Sequence, residues 1–323
     1  MKTVVITDYS YPDVELERAI IEGAGFRLVD YRDRITEDDV IPVTSMADAV
    51  IVQRAKISER VIGAMSQCQV IVRYGVGVDN VDVRAATRRG ILVCNVPDYG
   101  TTDVADHTMT LLLACHRGIV ELTKAVKAQV WNYRIVEPLH RLSACCLGII
   151  GCGRIGREVA LRARVFGMEV IGYDPYVDRK SVEAAGIRLT SLQELLEKAD
   201  FVTIHTPLTE ETRGMIGQRE LRRMKPGAIL VNTARGGIVD EEALYFALRD
   251  RRLRAAALDV FAIEPLGRSL LTTLDNVILT PHCAWYSEEA MLDLKKKVAE
   301  EVVRVLKGNR PLNPVNPDVL GKE

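Results

Sequence analysis

No charge of either sign dominates this sequence: 43 lysines and arginines face 44 aspartates and glutamates, a formal net charge of −1. That balance gives no field to attract nucleic acid or anionic lipid, so neither partner is expected. Apolar runs are short, none approaching the roughly 18–20 residues needed to cross a bilayer. The opening MKTVVITDYS meets Asp8 too early to hold the apolar core of a signal peptide. Seven cysteines, at 68, 94, 115, 145, 146, 152 and 283, lack the density and paired spacing of a disulfide framework or a zinc site. No metal is expected, Cys145 and Cys146 read as small core residues, and the expected location is cytoplasmic with reduced thiols. Aromatics are only 5%, against 48% hydrophobic and 27% charged residues, which leaves an ordinary globular composition. A chain of 323 residues is long for one compact core, so two domains are expected.

What is present is an alternation of short apolar runs with helical stretches. KTVVIT opens the chain, DVELERAIIEGAG follows as an amphipathic helix stopped by glycines, and ADAVIVQ at 47–53 then ISERVIGAMSQ repeat the theme. QVIVRYGVGVDNVDV supplies a strand ending in Gly75-Val76-Gly77, before a helix at 81–89 and the strand ILVCNV. This predicts a small parallel sheet with helices on its faces. A longer helix begins near Thr101 or Thr102 with Asp103 in its first turn, and its body VADHTMTLLLACHRGIV is apolar on nearly every face. Such a helix is expected between domains or between subunits. From 145 the alternation resumes through CCLGIIG, MEVIGYD, IRL, FVTIHT, AILVNT, AAALDV and NVILT, which describes a doubly wound parallel sheet. The last helix starts after Ser287; its stripe Met291, Leu294, Val298, Val302 and Val305 faces a core, and Lys295, Lys296 and Lys297 read as a solvated face. The fold class expected is α/β: a Rossmann domain at 99–289, and a smaller flavodoxin-like domain at 1–98 completed by the tail 290–323.

The stretch 143–174 organises the chain: strand, GCGRIG turn, helix, strand, closing Asp174. Gly151 permits a tight turn, Gly153 lets a pyrophosphate approach the backbone, and Gly156 lets the helix pack on the strand. The helix N-terminus offers free N–H groups to phosphate. Asp174, 18 residues after Gly156, is placed to bond both ribose hydroxyls. It would repel a 2′-phosphate, and Pro175 and Tyr176 follow it rather than arginine, so NAD is expected over NADP.

Ligands of open α/β sheets lie beyond the carboxyl ends of the strands. There the chain puts Arg235 after AILVNTA, Asp259 and Glu264 in AALDVFAIE, and His282 after NVILTP. One guanidinium, one carboxylate and one imidazole are the parts needed to reduce a 2-oxo acid. The cation holds the substrate carboxylate, the imidazole delivers a proton, and the carboxylate keeps it charged and oriented. Taken singly, Arg235 reads as a surface ion-pair partner and Glu264, before Pro265, as a turn opener; their joint occurrence beside a nucleotide fold carries the chemical reading. His107 and His116 read as structural, His140 lies in a polar connector, and His205 in VTIHTPL lines the cofactor edge.

NTARGGIVDEEAL, AALDVFAIEP and LTPHCAWYSEEA, together with VRYGVGVDNVDV and NVPDYGTTDVADHT, resemble the D-isomer-specific 2-hydroxyacid dehydrogenases along nearly the whole chain. The resemblance implies an NAD-dependent interconversion of a D-2-hydroxy acid and its 2-oxo acid. In it Arg235 binds substrate, Glu264 pairs with the histidine and His282 transfers the proton. It implies that Asp259 borders the nicotinamide, that the Val76-Gly77 backbone meets the substrate carboxylate, and that a homodimer forms through helix 103–120. The cofactor is expected to be held by Gly151, Gly153, Arg154, Ile155, Gly156, Asp174, His205, Thr206, Pro207, Thr212, Thr233, Ala234, Arg235, Asp259 and His282.

HCAWYSEEA is most similar to the C-terminal-binding protein branch, which implies that Trp285 walls the substrate and Arg73 reaches its carboxylate. An aromatic wall suits an apolar, aromatic or thioether side chain. Arg54, just past a strand end, favours an acidic or phosphorylated one. Val76 replaces the serine of that branch's turn. Phosphoglycerate dehydrogenase activity is one specific expectation, and an NAD-sensing, peptide-binding scaffold of the corepressor type is another; the short termini weigh against the second. Cys283, beside His282, is expected to be alkylated with loss of activity.

Overall fold

The computed structural model describes residues 1–321. Two compact units result, Met1–Gly100 with the chain from Ser287 onward, and Thr101–Tyr286. The first begins with β1 (Thr3–Ile6), α1 (Glu15–Gly23), β2 (Arg27–Asp30), α2 (Glu37–Thr44), β3 (Ala49–Val52), α3 (Glu59–Ala64), β4 (Val70–Arg73), α4 (Val83–Arg88) and β5 (Leu92–Cys94). The second runs α5 (Thr101–Arg117), α6 (Ile119–Lys127), β6 (Cys146–Ile150), α7 (Arg154–Val165), β7 (Glu169–Tyr173), α8 (Arg179–Ala184) and β8 (Arg188–Leu189). It continues with α9 (Leu192–Lys198), β9 (Phe201–Ile204), α10 (Gln218–Arg223), β10 (Ile229–Asn232), α11 (Glu241–Arg249), β11 (Ala255–Leu258) and β12 (Val277–Leu279). α12 (Glu288–Leu306) returns to the first unit.

In the first unit the strands lie in the order β2-β1-β3-β4-β5, all parallel, the flavodoxin-like order. β3 is AVIV and wholly buried, as a parallel strand covered on both faces must be. β2 and α2 do not stand out from the sequence. β2 is the edge strand RLVD, half polar, and α2 contains Pro42. What makes α2 a helix is its capping box, in which the Thr36 hydroxyl accepts from the Asp39 amide at 3.3 Å and Asp39 accepts from the Thr36 amide at 3.4 Å. The tail completes the sheet edge: the Val315 amide donates to Val93 O at 2.7 Å, and buried Asn316 accepts from the Val93 amide at 2.8 Å.

One surface expectation is corrected here. Lys295 is not solvated but buried in α12 against α1, where its Nζ donates to Asp13 O at 2.9 Å and lies 3.6 Å from Glu17 Oε2. Glu17, itself fully buried, accepts from the Tyr74 hydroxyl at 2.8 Å. Burial pushes the Glu17 carboxyl above its ordinary range, against the pull of Tyr74 and Lys295. A run of three lysines conceals this because each is polar by type, and only the docking of α1 distinguishes the first from its neighbours.

The second unit has seven parallel strands in the order β12-β11-β10-β9-β6-β7-β8. The chain winds outward from β6 through β7 to β8, then returns to build β9 on the other flank, so the switch point lies between β6 and β9. α5 seals one face: Ala105, Met109, Leu111, Leu112 and Cys115 join the core that also holds Leu147, Ile149 and Val159. The stretch 103–120 is therefore not one apolar rod. It ends at Gly118, whose φ of 58° is left-handed and whose added Cβ would meet Val136 Cγ1 at 2.3 Å. Most of the apolar positions of α5 are buried inside its own unit. Among the described residues no helix is long and apolar enough to cross a membrane.

Candidate active site

The glycine turn leaves β6 at the switch point and enters α7. Gly151 has a φ of 90°, and a Cβ there would lie 2.6 Å from the Thr206 amide nitrogen. A Cβ on Gly156 would lie 2.2 Å from Gly151 O, so only glycine allows α7 this close to the strand. Around Gly153 there is open space, and no side chain caps the first amides of α7. Exposed Arg154 and half-buried Ile155 follow it. An uncrowded backbone before an uncapped helix N-terminus fits a diphosphate. Asp174 follows β7 and accepts from the Cys152 amide (Oδ2) and the Tyr176 amide (Oδ1), both at 2.9 Å. Each oxygen keeps a lone pair for a ribose hydroxyl.

Beyond β9 lie His205, Thr206 and Pro207. Both His205 ring nitrogens are buried without a hydrogen-bond partner, and burial pushes its pKa down to about 3, so the ring is neutral. Orphaned ring nitrogens beside the glycine turn fit a site that a ligand completes. Two expected cofactor contacts are otherwise engaged. The Thr212 hydroxyl donates to Pro207 O at 2.6 Å, within its own loop, and the Thr233 hydroxyl is buried 2.8 Å from that of Thr108.

The strand-end residues of β10, β11 and β12 converge. His282 Nδ1 lies 2.6 Å from Glu264 Oε2, and Glu264 Oε1 accepts from the Phe261 amide at 2.9 Å. Burial raises the Glu264 pKa, but the His282 hydrogen bond and charge, the Phe261 amide and the nearby Arg235 charge together hold it below the usual carboxylate range. Glu264 is thus ionised and can only accept, which places a proton on His282 Nδ1 and leaves Nε2 to act. Arg235 is half-buried, with its carbonyl accepting from Asn232 Nδ2 at 2.8 Å; Asn232 Oδ1 in turn accepts from the Ala234 amide at 3.0 Å.

His282 itself has a φ of 54°, a left-handed backbone that costs energy in any residue with a Cβ. Asp259 holds it there. Fully buried at the end of β11, it accepts from the His282 amide through its carbonyl at 2.9 Å, and its carboxylate accepts from the Thr280 hydroxyl (2.6 Å) and the Cys283 and Ala284 amides (2.9 Å each). The Trp285 indole donates to His282 O at 3.1 Å and so braces the same turn. Cys283 is half-buried; burial, then the Asp259 charge, push its thiol above the ordinary range. Alkylation there must proceed through a minority thiolate and is correspondingly slow.

The expected substrate-side residues of the first unit lie at its strand ends. Arg54 follows β3, its amide donating to Asp8 Oδ2 at 2.7 Å, and Asp8 also accepts from the amides of Gln53 (3.1 Å) and Ala55 (3.2 Å). The side chain is 60% exposed, with Nε 3.9 Å from Asp8 Oδ2, so one buried carboxylate fixes the backbone and sits at the edge of a largely exposed cation. Arg73 ends β4 and folds so closely over Gly75 that a Cβ there would lie 1.8 Å from Nη1. Val76 is exposed, with its carbonyl accepting from Asn95 Nδ2 at 2.6 Å, and Gly77 follows half-buried.

Residues 109–284 match the family model described as D-isomer specific 2-hydroxyacid dehydrogenase, NAD binding domain. The chain belongs to this family. Its second unit is the family's NAD-binding domain. Across its whole length the chain is 42% identical to a D-3-phosphoglycerate dehydrogenase of Methanocaldococcus jannaschii, of which it covers 61%. It spans 53–61% of the length of this and three further such relatives. Among solved structures, a Thermus thermophilus protein is 35% identical with a TM-score of 0.87, over 97% of this chain and 99% of that one. A D-lactate dehydrogenase of Aquifex aeolicus, solved with NAD and lactic acid, is 29% identical with a TM-score of 0.87 over the same shares.

For a member of this family, sequence reasoning passes over three supports. Asn232 sits at a strand end, a position where a polar side chain signals a role, and it holds the Arg235 turn. Gly236 lets two loops touch: a Cβ there would lie 1.9 Å from Phe261 C and O. Asp8, the polar residue that ends the first apolar run, caps the Arg54 turn.

Proposed function

We propose that this protein is an NAD-dependent D-2-hydroxyacid dehydrogenase, with Thr101–Tyr286 as its cofactor unit and the remainder as its substrate unit. The observation that carries this reading is the His282–Glu264 pair at 2.6 Å, in the unit that carries the glycine turn and beside Arg235. The bound dihydronicotinamide supplies a hydride to C2 of the 2-oxo acid. Arg235 holds the substrate carboxylate and polarises the 2-oxo group. His282 Nε2 delivers the proton that turns the 2-oxygen into a hydroxyl, and in the reverse direction takes it back. Glu264 fixes the ring and carries the counter-charge of the imidazolium.

Arg54, Arg73 and the Val76-Gly77 backbone are proposed to select the substrate, with Trp285. The phosphoglycerate dehydrogenase relatives and the well-held Arg54 support a phosphorylated or acidic side chain. The deciding measurement is NADH and NADPH oxidation over a panel of apolar, aromatic, dicarboxylic and phosphorylated 2-oxo acids. We expect turnover with at least one member, and a preference for NADH of at least about tenfold, or ~1.4 kcal/mol, from Asp174. No turnover with any member would turn the reading to an NAD-sensing scaffold; equal efficiency with both coenzymes would remove Asp174 from the ribose.

A cytoplasmic homodimer belongs to the same proposal, through the end of the expected 103–120 stretch and the connection that follows it. Of the exposed large apolar residues, six fall close together in sequence on α6 and the connection after it: Ile119, Val126, Val130, Trp131, Tyr133 and Ile135, with Trp131 90% exposed. A segment this rich in exposed apolar and aromatic side chains is suited to a second copy. Trp131→Glu is expected to shift the protein from a dimer to the 35.9 kDa monomer in light scattering after size exclusion. A variant that stays dimeric would return the interface to another face.

A further inference from the structure

Three side chains of unlike chemistry meet beside His282. His107 comes from α5, Asp259 from the end of β11, and Cys283 from the turn after β12; their donor atoms all lie within 4.8 Å of one another. His107 Nε2 is 3.8 Å from Asp259 Oδ1 and 3.2 Å from the Thr280 hydroxyl. In a tetrahedral zinc site with bonds of about 2.0–2.3 Å, neighbouring donors sit roughly 3.3–3.6 Å apart, so small side-chain rotations close this set. Asp259 is fully buried, whereas His107 and Cys283 are partly exposed and give a cation a way in. We propose that His107, Asp259 and Cys283 form an inhibitory binding site for a thiophilic divalent cation of the zinc class.

The donor set decides the class. One imidazole nitrogen, one carboxylate oxygen and one thiolate sulfur select zinc, cadmium or cobalt over the oxygen-seeking magnesium and calcium. On binding, the Cys283 thiol releases its proton to solvent, the neutral imidazole offers Nε2, and water or the Thr280 hydroxyl completes the shell. The site's charge then rises from −1 (one carboxylate) to zero (two positive charges against carboxylate and thiolate). That increment appears one residue from His282 and draws Asp259 away from Thr280, within the network that pins the His282 turn. A less favourable imidazolium and a displaced turn both slow proton delivery. The inhibitory consequence rests on the proposed dehydrogenase reading; the binding site does not.

The test has two arms. Cobalt(II) is titrated into the metal-free full-length protein without coenzyme, and the near-ultraviolet charge-transfer absorption of a cobalt–thiolate bond is followed, with zinc as competitor. The other six cysteines are buried, which assigns such a band to Cys283. Separately, micromolar zinc is expected to slow oxo-acid reduction at least about fivefold, reversed by a chelator. Cys283→Ala and His107→Gln should keep the basal rate and lose both the band and most of the inhibition. Absence of the band in the unaltered protein, or a band or inhibition that survives in Cys283→Ala, would overturn the site. Should no substrate be found, or a variant lower the basal rate, the cobalt titration still decides.

Discussion

His282→Asn is expected to lower kcat for oxo-acid reduction by about 10³-fold while leaving NADH binding, followed by fluorescence, unchanged. General acid catalysis contributes roughly 10²–10⁴ to rate, and His282 is the imidazole that the Glu264 carboxylate orients. Asparagine is chosen because His282 has a φ of 54°, a conformation that asparagine tolerates and alanine resists. A rate loss in this variant therefore reads chemistry rather than a collapsed turn. Retention of the unaltered rate would remove His282 as proton donor, whatever the structure of the variant. Glu264→Gln, which keeps the shape and removes the charge, should cost less, on the order of 10–10².

The same pair sets an acid limit. Glu264 has a folded pKa below its unfolded value of about 4.3, so its contribution is complete above that value and is lost as pH falls through the lowered folded one. The pair thus survives mild acid. Activity that falls with a carboxylate-like titration well above pH 4 would belong to another group.

How far the sequence disclosed these parts follows from what each depends on. β6 is CLGII, continuous and apolar, and the glycines after it answer to local backbone need, so the position of the turn and the winding of the second sheet can be read without coordinates. β2 cannot, because an edge strand is half exposed and RLVD has no period of its own. Lys295 misleads for the opposite reason: its type implies solvent, and only α1 and the residue leading into it, more than 270 positions earlier in the chain, supply Glu17 and Asp13. The apolar character of α5 is legible but its partner is not, since a self-packed helix and a subunit interface share one pattern. Asp259 is similar: its location at a strand end marks it, yet the four bonds that hold residues 280–284 emerge only from the fold.

Gly236→Ala should be the most damaging single methyl in the molecule. An added Cβ lies 1.9 Å from Phe261 C and O and 2.4 Å from the Ala262 amide nitrogen, all backbone atoms that no rotamer change can move away. The loops after β10 and β11 must therefore part by more than an ångström. Arg235 stands one residue before the contact, and Glu264 is tied to the Phe261 amide at 2.9 Å, so the same displacement misplaces the substrate cation and the partner of His282 together. A 1 Å misplacement is worth about 10² in rate, and with two groups moved kcat/KM is expected to fall by roughly 10³ or more. Overpacking of this kind also costs about 1–3 kcal/mol, a fall in Tm of several degrees. Gly237→Ala is the comparison. Its left-handed φ of 70° imposes strain of ~1–2 kcal/mol, but its Cβ meets nothing closer than 3.7 Å, so it should lose stability while keeping most of its activity. If Gly236→Ala instead matched Gly237→Ala in kcat/KM, the two loops would not form one rigid support for Arg235 and Glu264.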